Sequence, residues 1–241
     1  MRPVSKWVHT DNTIVPPILE TYNPYQSAKE DLIRNIDSYC SYCESPVKDD
    51  AIHVEHIQPK GLAKYKHLEY KWSNFLLACA RCNGADNKSD KDVIYGQIHL
   101  PNTNNTLLSI DYQEGGLAKA NPLLQNIEYD NAVRLINLVG LDKRPGHADY
   151  KEKDKRWDKR REVWELAKRN YVKYQDGKID EEVIIDLAKG YGFWSIWFKI
   201  FQNHLSVKSA LIHSFNGTEK ICFDVNSNPV FRNPQNPHDR I

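Results

Sequence analysis

Four of the five cysteines form two Cys-x2-Cys pairs, Cys40 with Cys43 and Cys79 with Cys82. Because each two-residue spacer lets two sulfurs approach one ion, two such pairs predict a tetrahedral four-thiolate zinc site. A closed shell of four sulfurs leaves no open coordination position, so the predicted zinc is structural and any chemistry lies elsewhere. The alternative is that these residues are buried core thiols or disulfides. Cys222 stands apart and is predicted to be a packed thiol.

The residues between and around the two pairs follow a recognisable order, with VEHIQPKG at residues 54–61 and WSNFLLACARCNGADNK at residues 72–88. The full order is Cys-x2-Cys, an acidic residue before His-Ile-x-Pro, Trp-x-Asn, and Cys-x2-Cys-Asn followed by Lys. This pattern, over about residues 40–88, resembles an HNH nuclease with the ββα-metal fold, in the version whose two Cys-x2-Cys knuckles flank the site. The resemblance implies an endonuclease that uses a divalent metal ion to hydrolyse phosphodiester bonds in nucleic acid.

The resemblance also implies a role for four residues. His56 is the implied general base, since a neutral imidazole can accept a proton near pH 7. Glu55 and Asn83 supply oxygen ligands for a hard divalent ion, Mg²⁺ or else Mn²⁺. Asn74 stands at the middle Asn of the family pattern and is expected to hold the loop that bears His56. Asn83 stands where many relatives have a final His, and this departure favours Mg²⁺ or Mn²⁺ over softer ions.

Three further residues are candidate substrate contacts. His53 lies two residues before Glu55 on the same face of a predicted strand, and is an extra ligand, a substrate contact or simply an exposed side chain. Lys60 and Lys88 are candidates for phosphate contact, although a lysine is more often a solvated charge. Adjacent residues of a strand point to opposite faces, so Glu55 can join His56 at one site only if the strand ends there.

The second half of the chain resembles, more loosely, the helical extension of the HNH proteins of Septu anti-phage systems and of some retrons. The similarity lies in DNAVRLINLVGLDKRP, at residues 130–145, and in a run with Arg156. It implies an effector that cuts nucleic acid on infection beside an ABC-type ATPase, in some systems within a retron reverse transcriptase and msDNA complex. DNA is the favoured substrate, and RNA such as transfer RNA stays open. The alternative is a non-catalytic zinc-dependent nucleic-acid-binding or scaffolding subunit.

The composition predicts a folded protein of one or two domains, with 40% apolar and 27% charged residues in 241. The first residues contain no unbroken apolar stretch, and the longest apolar segment, residues 193–205, is shorter than the roughly 20 residues that span a bilayer. We therefore expect a cytoplasmic protein without a membrane segment. The net charge is only +1, so affinity for nucleic acid must come from a local basic surface or a partner.

We predict an α+β fold in which a zinc-stabilised ββα-metal core occupies residues 1–100 and a mainly helical extension, which could bind a partner, occupies residues 101–241. In the core, a helix opening at Asn23 and Pro24 precedes the first cysteine pair, and residues 51–57 alternate as a half-buried strand. Residues 101–122 are rich in turn formers and mark the predicted boundary.

The extension is predicted to be helical from its hydrophobic periodicity. Residues 130–139 end at Gly140, a typical C-cap. Residues 154–174 place aromatic side chains on one stripe, which predicts an amphipathic helix with a basic face. The aromatic segment at residues 193–201 is expected to be core, with an ATPase-facing surface as the alternative. The predicted basic face consists of Lys155, Lys159, Arg160, Arg161, Lys168 and Arg169.

Overall fold

Helices and three small antiparallel sheets make up the computed structural model, which describes residues 1–6, 8–10, 13–15, 19–236 and 239–241. The predicted α+β class, with a helical C-terminal region, is confirmed. In this described part, none of the helices combines the length and the apolar character that crossing a bilayer requires.

The first half contains the elements that surround the cysteine pairs. Strand β1 (Val8–Thr10) pairs with β2 (Thr13–Val15), and helix α1 (Lys29–Ile36) follows a 3-10 turn at Tyr25–Ala28. Strand β3 (His53–His56) pairs antiparallel with β4 (Phe75–Ala78), and the one-turn helix α2 (Ala80–Asn83) follows at once. Strands β3 and β4 with α2 therefore form the predicted ββα unit.

The predicted helix opening, with Asn23 as the N-cap and Pro24 as the first helical residue, is wrong by one residue. Pro24 has an extended backbone, with φ −71° and ψ 151°, and makes no side-chain cap. Its ring fixes φ at a value that suits a helix, but its ψ does not, so the helical turn begins at Tyr25. Strand β3 also departs from strict alternation, because His53 is exposed while Val54, Glu55 and His56 are all buried.

The second half begins with a hairpin and continues with helices. Helix α3 (Thr106–Ser109) leads into β5 (Ile110–Gln113), which pairs with β6 (Leu117–Ala120). The hairpin lies within the turn-rich residues 101–122, and the division of the chain at residue 100 stays a prediction. The later helices are α4 (Asn126–Val139), α5 (Arg156–Gln175), α6 (Glu181–Tyr191), α7 (Trp194–Ile200) and α8 (Leu205–Ser214).

Helix ends follow the sequence signals in most places. Gly140 ends α4 in the left-handed region, with φ 59° and ψ 51°, as predicted for a C-cap. Asp180 caps α6 by accepting a hydrogen bond from the N–H of Val183. Helix α6 continues to Tyr191 and ends before Gly192, whose φ is 71°.

One hydrophobic cluster runs through both halves of the chain. It contains the aromatic segment at residues 193–201, whose Trp194, Trp197 and Phe201 are almost fully buried, so this segment is core and not an exposed partner surface. The predicted basic face of α5 needs a correction at Arg160. This residue is 1% exposed, because its guanidinium donates to the carbonyl oxygens of Gly116 and Leu141.

Candidate functional site

The four paired cysteines come together as a buried cluster. Their sulfurs all lie within 4.8 Å of one another, and Cys43 Sγ is 3.7 Å from Cys79 Sγ. Zn–S bonds of about 2.3 Å in a tetrahedron would place the sulfurs roughly 3.8 Å apart. All five cysteines are free, which excludes the disulfide alternative. The donor set and its spacing therefore fit a zinc ion, and Cys222 is a buried thiol outside the cluster.

His56, the last residue of β3, is held in one orientation by its neighbours. Its Nε2 lies 2.8 Å from the carbonyl oxygen of Glu69. A carbonyl can only accept, so Nε2 carries the proton and Nδ1 keeps the free lone pair of the neutral ring. The rings of Tyr25 and Phe75 meet the imidazole edge-on, with centroid distances of 4.6 and 5.2 Å. The neutral imidazole therefore presents Nδ1 as its basic atom.

Burial keeps that imidazole neutral. The loss of solvent lowers the pKa of His56 from its usual 6.5, although the hydrogen bond to the Glu69 carbonyl opposes this shift. Nearby cationic lysines lower the pKa further. A base must be unprotonated to accept a proton, so these surroundings suit a general base near neutral pH.

Asn74 ties together the two segments that meet at His56. Its Oδ1 accepts from the N–H of Gln58 at 2.8 Å, and its Nδ2 donates to the carbonyl oxygens of Gln58 at 2.9 Å and Leu68 at 3.4 Å. Gln58 lies two residues after His56, and Leu68 lies one residue before the carbonyl that receives the imidazole proton. The amide, itself 2% exposed, thus fixes the loop on both sides of the ring.

Glu55 precedes His56 in the sequence, and its carboxylate forms an ion pair with a buried lysine. Lys88 Nζ is 2.6 Å from Glu55 Oε1 and 2.6 Å from the carbonyl oxygen of His56. The Glu55 and Lys88 side chains are only 2% and 1% exposed. Desolvation raises the pKa of Glu55 to about 7, although the charge of Lys88 opposes that rise. Lys88, a candidate phosphate contact, is thus engaged inside the protein by Glu55 and His56.

Asn83 and the remaining candidates lie around this pair. Asn83 ends α2, which packs against β3, and its half-buried side chain makes no hydrogen bond to any residue in the described ranges. His53 is exposed at the start of β3. Lys60 Nζ lies 4.1 Å above the ring of Tyr25 and 3.7 Å from Glu69 Oε1, with 38% of its side chain exposed. Lys60 is therefore the lysine candidate that solvent reaches.

Three groups around the site have no signal in the sequence pattern. The Glu69 carbonyl orients His56 through its backbone, which any residue type could do. Tyr25 packs against the imidazole from a 3-10 turn distant in sequence. Arg156, which starts α5, places Nη1 3.1 Å from Cys82 Sγ. The sequence position of Arg156 does not indicate this contact, because Cys82 lies 74 residues earlier in the chain.

These positions can be compared with known proteins. Residues 40–89 match the HNH endonuclease family model. We call these residues the HNH segment. The family is one of nucleases that depend on a divalent metal, so the match indicates nuclease chemistry for this segment in general terms. It ends at residue 89 and carries no information on the helical half. No curated protein matches the chain.

Proposed function

We propose that the chain hydrolyses phosphodiester bonds of nucleic acid at the HNH segment, with His56 as the base that takes a proton from water. The observation that carries the proposal is the hydrogen bond from His56 Nε2 to the Glu69 carbonyl, because it leaves Nδ1 free to accept that proton. The lowered pKa of His56 keeps the ring neutral at physiological pH. Asn74 acts as a positioning residue, since it fixes the loops that hold the ring.

The same proposal assigns a divalent ion, Mg²⁺ or Mn²⁺, to Glu55 and Asn83, and the ion would have to share the Glu55 carboxylate with the Lys88 ammonium group that contacts Oε1. Carboxylate and amide oxygens suit such hard ions, and the Asn83 amide has no competing hydrogen bond among the described residues. In that part of the chain the four cysteines are the one group of three or more His, Cys, Asp or Glu side chains that converge. Water and phosphate oxygens would therefore complete the shell, and the ion would stabilise charge on the phosphoryl and leaving oxygens.

A basic segment beside His56 supports nucleic acid as the substrate. Residues 60–71 contain four lysines against one glutamate, Glu69, whose carbonyl holds the imidazole. Lys66 is 67% exposed and Lys60 is 38% exposed. Phosphate neutralisation by lysines supplies most of the affinity that does not depend on sequence. This segment therefore carries an excess of positive charge next to the proposed base, even though Lys60 and Lys66 pair with Glu69 and Lys64 pairs with Asp92.

DNA is the favoured substrate, and RNA such as transfer RNA is the other candidate. Both remain candidates because an HNH site contacts a backbone phosphate and reads no base by itself. We further propose that the chain acts as the effector of an anti-phage system with an ABC-type ATPase. Support for that part of the proposal is the loose resemblance of residues 130–145 to Septu and retron proteins and the near-neutral net charge. In a retron, the chain and its ATPase would act within a complex that also contains the reverse transcriptase and msDNA.

The test is a cleavage assay on supercoiled plasmid, single-stranded DNA and transfer RNA. The purified chain is assayed with Mg²⁺, Mn²⁺ or EDTA, alone and with any ABC-type ATPase encoded beside it. We expect metal-dependent cleavage that falls by roughly 10² to 10⁴ in His56→Ala. The matched control is His213→Ala, an exposed histidine on α8 that should cleave at the unchanged rate.

Two results would contradict the proposal. Full cleavage by His56→Ala would remove His56 as the base. Binding of nucleic acid without cleavage by the unaltered chain, under every metal and partner condition, would favour the non-catalytic zinc-dependent binding subunit instead.

A further inference from the structure

An arginine from the helical half donates a hydrogen bond to the second cysteine pair. Arg156, at the start of α5, is 7% exposed, and its Nη1 donates to Cys82 Sγ at 3.1 Å. Its other N–H groups are also used. They donate to both carboxylate oxygens of Asp154, at 2.9 and 2.7 Å, and to the carbonyl oxygens of Val139 at 2.6 Å and Gly140 at 3.1 Å. All five guanidinium donors are therefore satisfied.

These contacts join three parts of the molecule at one side chain. Val139 and Gly140 are the C-terminal end of α4, where the helix dipole favours a cation. Asp154 fixes the plane of the guanidinium by a bidentate ion pair. A zinc ion with four thiolates carries a formal charge of −2, so a buried cation on one sulfur offsets part of that charge. Arg156 thus connects the zinc ligand Cys82 to both α4 and α5.

The residue that follows the first cysteine pair is held by a different helix, α7. Glu44, directly after Cys43, is 4% exposed, and its Oε1 accepts from Ser195 Oγ at 2.8 Å in the first turn of α7. The Glu44 carbonyl accepts from the N–H of Phe193 at 2.8 Å. Gly192 permits this approach, because a Cβ there would lie 2.7 Å from the Glu44 carbonyl oxygen. Both knuckles are therefore fastened to the helical half, by independent contacts.

We propose that the four-cysteine centre is the joint between the HNH segment and the helical region, with Arg156 and Glu44 as positioning residues that couple zinc binding to the docking of α4, α5 and α7. The inference concerns the zinc centre and does not depend on nuclease activity. Zinc bound at the cysteines should hold these helices in place, and the docked helices should in turn hold the zinc, since linkage between two sites is reciprocal.

The first experiment measures zinc release from the full zinc-loaded chain to a chromogenic chelator. Loss of a residue that contacts a metal ligand from outside typically weakens metal binding by about 10- to 100-fold. We expect Arg156→Met to release zinc faster by a factor in that range, and Arg156→Lys, which keeps the charge but not the fork of donors, to lie between it and the unaltered chain. Ser195→Ala should give a smaller acceleration. The control is Arg169→Met, an exposed arginine on the same helix, which should leave the rate unchanged.

The second experiment needs no variant, so it decides the question even if Arg156→Met does not fold. Hydrogen exchange is measured on the unaltered chain before and after zinc removal. We expect amides at the end of α4 and in the first turns of α5 and α7 to lose protection together with the knuckles. Loss of protection confined to residues 40–89 would overturn the proposal, as would zinc release from folded Arg156→Met at the unaltered rate.

Discussion

Lys88→Met tests the buried ion pair on which the arrangement of β3 depends. The ammonium group of Lys88 contacts both Glu55 Oε1 and the His56 carbonyl oxygen at 2.6 Å, and almost no solvent reaches it. Methionine has a similar length but no charge and no donor. The substitution therefore leaves a buried carboxylate without its cation and a buried carbonyl without its donor.

The loss of stability in Lys88→Met depends on pH, because protonation of Glu55 removes the buried negative charge. Desolvation, opposed by Lys88, raises the pKa of Glu55 from 4.5 to about 7. The folded state thus binds this proton more tightly than the unfolded state, so stability from this group is complete below pH 4.5 and is lost as pH rises towards 7. At about 1.36 kcal/mol per pKa unit, the shift corresponds to roughly 3 kcal/mol.

Removal of Lys88 takes away a charge that lowers the pKa of Glu55, so in the variant that pKa rises above 7 and the decline in stability continues to higher pH. At pH 8 the variant should lose about 3–5 kcal/mol relative to the unaltered chain, the cost of breaking a buried pair. At pH 6 the carboxyl is protonated, and the loss should shrink to about 1–3 kcal/mol for the missing hydrogen bonds.

The assay is urea unfolding followed by tryptophan fluorescence at pH 6 and pH 8, with zinc content measured in each sample. Lys91→Met, an exposed lysine three residues away, is the matched control and should change stability by less than about 0.5 kcal/mol. Adding Glu55→Gln to Lys88→Met should recover part of the loss at pH 8. An equal loss at pH 6 and pH 8 would refute the reasoning, since it would mean that Glu55 does not change protonation in this range.

Two further predictions concern His56 and the loop that holds it. Because burial lowers the pKa of His56 from 6.5, the rising limb of kcat/KM against pH should have its midpoint below 6.5, and a midpoint above that value would contradict a desolvated base. Asn74→Ala removes three hydrogen bonds worth about 1 kcal/mol each, so the free energy of unfolding should fall by about 2–3 kcal/mol. In the same variant kcat should fall more than KM rises. An unchanged kcat in a folded Asn74→Ala protein would show that the loop does not position the base.

The four-cysteine cluster and the ββα unit could be predicted because their signals are local. Two residues between cysteines fix how the sulfurs approach. The segment around β3 alternates apolar and polar residues, and β4 is a short apolar segment bounded by polar ones. The helix ends at Gly140 and Asp180 follow from side-chain and backbone chemistry within one turn. In each case the residues that determine the structure lie next to one another in the chain.

The contacts that sequence analysis missed depend on which distant element covers a side chain. Arg156 and Arg160 lie on the buried face of α5, where the backbone carbonyls of Gly116, Val139 and Leu141 accept from them. The charge of Arg160, and not its position on the helix, placed it on the predicted basic face. The residues around Lys88 have the composition of a surface loop, yet its ammonium group is buried in an ion pair with Glu55. Periodicity indicates the faces of an element but contains no information on what packs against each face.

A chain of contacts through residues 79–88 connects the cysteine cluster to the proposed base. Cys79 Sγ accepts from the N–H of Cys82, and the Cys82 carbonyl accepts from the N–H of Lys88 at 3.1 Å. The Lys88 side chain then donates to the His56 carbonyl. The zinc ligands are thus separated from the backbone of the proposed base by one lysine, which also holds Glu55. We therefore expect zinc binding at the cluster to order Lys88, and through it His56 and Glu55.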